Sequence, residues 1–309
     1  MDEKKLLAVI QANDEKAILD ALRTVEETGG IALVKTIIGL LKHPNKLVAR
    51  QAVISAAGLI KRQLVESWDG IEKNVKDGLA NLLKKLNPAV IDHIAKDLYS
   101  EKEENRLRTL QVLGLLGQDE KIKQAVTEML TDTDERLRAT AVSILKNMMN
   151  ARDANLIYRV LHDPDPRVRA NGVEALETMG LKAMVPSLAS MRKDANNRVR
   201  GNVLKALYTL GYKKIEPDIK EMLDHSNRLM RATAGWVLGE VGKEGDPVFI
   251  NLLGEYGLDR DFLVRQNMIK SLIKINNDTS LKLCKYIFEE EEVIKAKADL
   301  EKMLKFRGK

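Results

Sequence analysis

DPDPRVRANGVEAL (163–176) is the stretch whose reading decides the fold. It leads from an acidic turn to Arg169 and on into a small, apolar run. The same phrase recurs as DTDERLRATAVSIL (132–145), DANNRVRGNVLKAL (194–207) and DHSNRLMRATAGWVL (224–238). The arginine that ends each polar lead-in falls at Arg138, Arg169, Arg200 and Arg231, a step of 31 residues taken three times. A fixed step of this size marks stacked copies of one supersecondary unit, each too small to bury its apolar face alone.

Each copy has room for two helices. Val168, Gly172, Ala175, Leu176 and Met179 recur at helical spacing and would share one face. Gly180, Gly211 and Gly242, again 31 apart, are expected to close the second helix of each copy, because glycine accepts the left-handed backbone found there. Pro186, Pro217 and Pro247 would open the first helices, where proline has no N–H bond to lose. Asp132, Asp163, Asp194 and Asp224 lie in the turns ahead of the arginines. Stacking would bring an aspartate of one copy near an arginine of its neighbour. Asp132, Arg138, Asp163, Arg169, Asp194, Arg200, Asp224, Arg231 and, one copy on, Arg265 are therefore expected to form a ladder of charge-assisted bonds rather than a stripe for phosphate.

DPDPRVRA (163–170) and WVLGEVG (236–242) resemble the HEAT-like repeats grouped around the phycocyanobilin lyase subunits. That pattern runs Asp-Pro-Asp, then Val-Arg, then an Ala-rich helix closed by Leu-Gly-x-x-Gly. The resemblance implies an all-α fold, a right-handed α-solenoid of about nine stacked helix pairs, with the second helices lining a concave surface. Residues 1–309 read as a single HEAT-repeat domain with no linker: degenerate or capping copies over 1–100, regular copies over 101–276, and a C-terminal cap over 277–309. Lys295 and the basic tail of Lys302, Lys305, Arg307 and Lys309 close the last unit. Arg50 and Arg108 stand at the arginine position of earlier copies, and three residues are added near Tyr256–Asp259.

Composition fits this reading. Only 4% of residues are aromatic and 31% are charged, which suits helices better than a β-sandwich. Lysine and arginine number 51 against 45 acids, so the net charge of +6 permits a nucleic-acid partner without requiring one. The single cysteine, Cys284, excludes an internal disulfide and a thiol-based metal cluster, and its apolar setting LKLCKYIF reads as core. No apolar run approaches the roughly 20 residues needed to span a bilayer. The N-terminal apolar segment is too short for a signal peptide. The expectation is a cytoplasmic protein without membrane insertion.

Candidate binding residues come from the exposed face of the second helices. Counted from each arginine, the +2 column holds Thr140, Asn171, Asn202, Thr233 and Asn267, and the +5 column holds Ser143, Glu174, Lys205, Trp236 and Lys270. Asn171, Asn202, Lys205, Tyr208, Thr233, Trp236, Asn267 and Lys270 would form a polar strip with aromatic anchors, suited to a protein or peptide partner. Trp236 has a structural reading beside this one, packing on the adjacent copy, and Trp68 reads as structural. His43, His93, His162 and His225 are too scattered for a zinc pair. No phosphate loop, nucleophile elbow or His-Glu-x-x-His occurs, so no catalytic residue, metal or cofactor is expected.

The best-supported function is a non-enzymatic scaffold or adaptor holding a partner protein or peptide. A nucleic-acid binder related in architecture to the alkylpurine DNA glycosylases stands second, without the tryptophan–aspartate cluster that reading needs. A chromophore-lyase subunit rests on the resemblance alone.

Overall fold

The computed structural model describes residues 2–86 and 89–289; the unit around Lys295 and the basic tail lie outside the described residues. It is all-α, with no strand among the described residues. The packing divides the chain into two compact units, 1–148 and 149–309. The boundary falls inside the stretch 101–276, at KNMMNARD (146–153). There Met149 stands 31 residues before Gly180 and Asn155 stands 31 before Pro186, so this junction has neither the closing glycine nor the opening proline.

The first unit holds α1 (Glu3–Gln11), α2 (Glu15–Thr28), α3 (Val34–Gly39), α4 (Lys46–Glu66), α5 (Lys73–Lys85), α6 (Ala89–Ala95), α7 (Glu103–Leu116), α8 (Glu120–Glu128) and α9 (Glu135–Leu145). The second helices α2, α4, α7 and α9 run side by side, with α5 inserted against α4 and α7. Helix α5 follows α4 with only the 3₁₀ turn Trp68–Gly70 between them, so this copy has no α-helix in the first position.

The second unit holds α10 (Ala154–Leu161), α11 (Pro166–Met179), α12 (Val185–Ser190), α13 (Asn197–Thr209), α14 (Glu216–Leu223), α15 (Arg228–Val241), α16 (Pro247–Glu255), α17 (Phe262–Ile275) and α18 (Asp278–Glu289). Here α11, α13, α15 and α17 pack in order, each backed by the first helix that precedes it. The core is the seam between the two helix rows: Val168, Val173, Leu176, Val203, Leu207, Val237, Leu238, Met268 and Leu272 are 1% exposed or less. Cys284 is buried in α18.

The second helices from α9 onward each start on a short polar N-cap, whereas α7 starts at Lys102 without a side-chain cap. Asp134, Asp165, Asn196, Asn227 and Asp261 each accept a backbone N–H from the first turn. A carboxylate or amide there satisfies a donor that has no partner within the helix, worth about 1 kcal/mol. At the other end Gly180 (φ +65°) and Gly211 (φ +100°) take the left-handed backbone expected of them. Gly242 does not. Its φ is −68°, and the left-handed residue is Gly245, three further on. Gly242 is small for a different reason: a Cβ there would lie 2.8 Å from Ile275 Cδ1, so α17 lies too close for a side chain.

Candidate functional site

The acidic turn and the arginine work as one device. The first aspartate of each phrase closes the turn by accepting the N–H of the N-cap residue, as in Asp132 to Asp134 (2.9 Å), Asp163 to Asp165 (2.9 Å), Asp194 to Asn196 (2.9 Å) and Asp259 to Asp261 (2.8 Å). The arginine six residues on folds back and donates through Nη1 to the carbonyl of that first residue. The bonds are Arg138 to Asp132 O, Arg169 to Asp163 O, Arg231 to His225 O and Arg265 to Asp259 O, all 2.8–2.9 Å.

Arg169 and Arg231 also reach into the next copy with their remaining edge. Arg169 donates Nε to Asp194 Oδ2 (2.9 Å) and Nη2 to Asp194 Oδ1 (3.1 Å). Arg231 grips Asp259 in the same way, at 2.7 and 3.0 Å. Such fork-to-fork pairs fix geometry as well as charge. Burial pushes the Asp259 carboxyl up, but the Arg231 guanidinium outweighs this and holds it below the ordinary carboxylate range. In the first unit the corresponding arginine is Arg106, which donates to Asp132 at 3.2 Å. Arg108, two residues on, turns outward to Asp69 and Glu104.

Asp224 does not belong to this ladder. It lies seven residues before Arg231, not six, and its carboxylate accepts from the Tyr256 hydroxyl at 3.0 Å. The sixth position is His225, whose Nδ1 accepts the Asn227 N–H at 2.9 Å. His43 does the same for Asn45 at 3.1 Å in the first unit. A neutral imidazole nitrogen can replace a carboxylate as turn acceptor, but it cannot bridge a guanidinium. Arg200, the arginine that should meet the residue at 225, is 4% exposed, and its Nε and Nη2 have no hydrogen-bond partner. Those are the two atoms that Arg169 and Arg231 commit to aspartate. Glu221 Oε1 lies 2.9 Å from Nη2 but out of line for a hydrogen bond. Burial lowers the proton affinity of Arg200, and Asp218 only partly restores it.

His225→Asp is therefore expected to stabilise the chain by about 1–2 kcal/mol, the worth of a hydrogen-bonded charge gained at a desolvated site. Chemical denaturation of the two proteins would show it. An unchanged or lower midpoint would mean that residue 225 does not face Arg200.

The candidate binding residues fall into four placements. Asn202, Thr233, Trp236 and Asn267 come together around one cleft of about 440 Å³ across α11, α13, α15 and α17. Trp236 is half-buried there, with Leu229, Ala232 and Leu263 as its apolar surroundings and Glu174, Asn197 and Arg198 on the wall. Both readings of Trp236 meet in this geometry. Its ring edge lies over Gly201 of the preceding copy, 3.6 Å from where a Cβ would stand, and its remaining surface faces the cleft.

Asn171 and Lys205 form the second group. Asn171 accepts from Arg198 Nη2 at 3.1 Å, and Lys205 pairs with Glu177 at 3.0 Å, so both tie neighbouring second helices together. Lys270 is exposed and does not line the cleft. Tyr208 is a correction. It is 5% exposed and packs edge-on against Phe249 of α16, with the Lys213 ammonium 3.5 Å from its ring centre. Six residues separate it from Asn202, which on a helix turning about 100° per residue puts it roughly 120° around from the strip.

Arg198, Asn197, Leu229 and Leu263 were not singled out from the sequence. They sit in the first turns of their helices, ahead of the columns counted from the arginines. The N-cap register, which starts four residues before each arginine, would have found them. Other cavities are less open to a partner. One of about 730 Å³ in the first unit is ringed by polar groups that answer each other, Lys61 paired with Asp97 (2.8 Å) and the His93 ring 3.7 Å from Glu26. Another, of about 410 Å³, lies beside Trp68, whose ring carries the Lys76 ammonium at 4.4 Å. No group of three metal-ligating side chains occurs among the described residues, and no described helix is long and apolar enough to cross a membrane.

The stacked pairs, the shared turn and the arginine clamp together define the repeat, and sequence comparison gives it a name. A sequence model described as HEAT repeats matches residues 91–177 and 185–273. The chain belongs to the HEAT-repeat family. No curated protein shows a matching sequence. Among solved structures, Kap121p bound to Pho4p is similar with a TM-score of 0.50 at 13% identity, over 91% of this chain and 40% of that one. The complex of CpcE and CpcF of phycocyanin lyase from Nostoc sp. PCC7120 gives a TM-score of 0.42 at 15% identity, over 82% and 93% of the two chains. An engineered protein gives 0.43 at 14% identity, over 93% and 92%. At these identities the likeness concerns the HEAT solenoid fold.

Proposed function

We propose that this HEAT-repeat chain is a protein-interaction scaffold that holds a segment of a partner protein in the cleft around Trp236. One observation carries the reading: Asn202, Thr233, Trp236 and Asn267, drawn from three successive second helices, line a single opening beside apolar surface. Half-buried tryptophans flanked by hydrogen-bonding groups dominate binding energy at protein interfaces. HEAT repeats in general, and Kap121p bound to Pho4p as a structural neighbour, agree with a protein partner. Two of the arginines that could have made a phosphate stripe are bonded to aspartates, and a third, Arg200, is buried at 4% exposed. Arg231 is 6% exposed and bonded to Asp259, and Arg169 is bonded to Asp194. This weighs against nucleic acid as the primary ligand.

The test uses random 12-residue peptides selected on the immobilised full chain, with affinities measured by fluorescence anisotropy. Trp236→Ala is expected to weaken the selected peptides about thirtyfold, the effect of losing a central aromatic anchor worth about 2 kcal/mol. Circular dichroism of the variant checks that α13 and α15 remain folded. Failure to enrich any peptide, or equal affinity for both proteins, would remove the proposed site. Duplex DNA measured at two salt concentrations covers the other reading, since phosphate contacts make affinity fall steeply with salt.

A further inference from the structure

The amide groups in the cleft specify the shape of what enters it. Asn202 Nδ2 donates to Ala170 O (3.3 Å) and to Glu174 Oε1 (2.9 Å). Both partners can only accept, so the amide orientation is fixed and Oδ1 is left as an acceptor. Asn267 Nδ2 donates to Leu263 O at 2.8 Å, one turn back in its own helix, and its Oδ1 is likewise left as an acceptor. Between them, the Thr233 hydroxyl oxygen accepts from Asn197 Nδ2 at 2.7 Å, which leaves its proton for a further acceptor. In order along α13, α15 and α17 the cleft thus offers an acceptor, a donor and an acceptor. Asn171, the same position in α11, is not part of this series, because Arg198 already takes its carbonyl.

Resting on the scaffold reading, we infer that the occupant of this cleft is an extended peptide crossing α13, α15 and α17, bound through its own backbone. An α-helical ligand does not fit this set, because beyond its first turn its N–H groups are all used internally. An extended chain has its N–H and C=O groups open. The spacing agrees: packed helices lie about 8–10 Å apart, and a polyproline-type chain advances about 9 Å in each three-residue turn. Equivalent backbone groups therefore recur once per helix crossed. An N–H meets Asn202 Oδ1, a carbonyl meets the Thr233 hydroxyl, and an N–H about six residues from the first meets Asn267 Oδ1. Midway, one apolar side chain lies against Trp236 between Leu229 and Leu263. The wall carries one acid and one base, Glu174 and Arg198, paired to each other at 3.3 Å, so the segment needs no net charge.

The experiment takes a peptide selected on the full chain and replaces its backbone N–H groups one at a time by N-methyl. Two positions about six residues apart are expected to lose about tenfold in affinity each, and intervening sites little. Asn267→Leu, whose amide bonds only within its own helix and whose loss spares the fold, is expected to weaken the unmodified peptide about tenfold. It should also abolish the effect of one of the two N-methyl groups. A flat N-methyl scan, or a bound peptide that is helical by circular dichroism, overturns the inference. If Trp236→Ala still weakens that peptide, the scaffold reading survives; if Trp236→Ala has no effect, the scaffold reading fails with it.

Discussion

Arg231→Ala is expected to lower the stability of the chain by about 3–4 kcal/mol, while Arg200→Met is expected to leave it unchanged or slightly raised. The two arginines occupy the same position in adjacent copies and are almost equally buried, at 6% and 4% exposed. What differs is the residue across from them. Truncating Arg231 strands the Asp259 carboxylate at a desolvated turn and takes a donor from the carbonyls of His225 and Ser226. Breaking a buried pair from one side has a large effect for this reason, about 3–5 kcal/mol. Arg200 has His225 instead of a carboxylate across the turn, and the nearby Glu221 is half-exposed and stays solvated without it. The Arg200 Nε and Nη2 already carry the penalty of burial without a hydrogen bond. An apolar chain of similar length removes that penalty.

Acid should separate the two proteins as well. Asp259 is held below the ordinary carboxylate range in the folded chain, net of burial, by the Arg231 bond. A depressed carboxylate contributes stability that is fully present above its unfolded value, about 3.9, and that disappears as pH falls through the lower folded value. Asp134 and Asp165 add to this limb, held down by their hydrogen bonds to Arg136 and Arg167. Arg231→Ala should therefore lose part of the acid-dependent fall in the urea midpoint below about pH 4. Equal acid slopes in the two proteins would mean that the Asp259 bond contributes nothing to stability.

These residues also show how far the sequence could be read. The helix pairs were legible because a 31-residue step repeats every cue at once: N-cap, arginine, small apolar run, closing glycine. Asp163, Asp194 and the arginines follow from that step, since geometry repeats when spacing does. Asp224 did not follow because an aspartate one residue out of register looks like a member of the column, while the true position holds a histidine that performs half the task. Asp259 was obscured by the three residues added just before it. Tyr208 was placed on the strip by its chemistry, although its angular position puts it in the core. Gly242 is the converse case: the residue type was right for a helix end, but the approach of α17, visible only in three dimensions, is what requires it.

Neighbouring second helices approach closely at Gly201, and substitution there should disturb both stability and binding. A Cβ at this position would stand 2.4 Å from Thr233 Cγ2, 3.5 Å from Val237 Cγ2 and 3.6 Å from Trp236 Cζ3. Thr233 is β-branched and its hydroxyl is held by Asn197, so it cannot swing aside without giving up that bond. Relief must come from parting α13 and α15, which are packed along their length. Gly201→Val is therefore expected to destabilise the chain by about 3 kcal/mol, the upper part of the range for overpacking a dense interior. Helix propensity works the other way, since glycine is the poorer helix former, but by less than about 1 kcal/mol. Because the displaced groups are Thr233 and Trp236, peptide affinity should fall with stability, by at least tenfold under conditions where the variant is still folded. Gly180→Ala is the useful comparison. Nothing lies within 4 Å of a Cβ there, and only the left-handed backbone at φ +65° resists the change. It should lose stability without losing affinity. If Gly201→Val behaves like Gly180→Ala, the cleft does not depend on the α13–α15 contact, and the binding groups must lie elsewhere on the second helices.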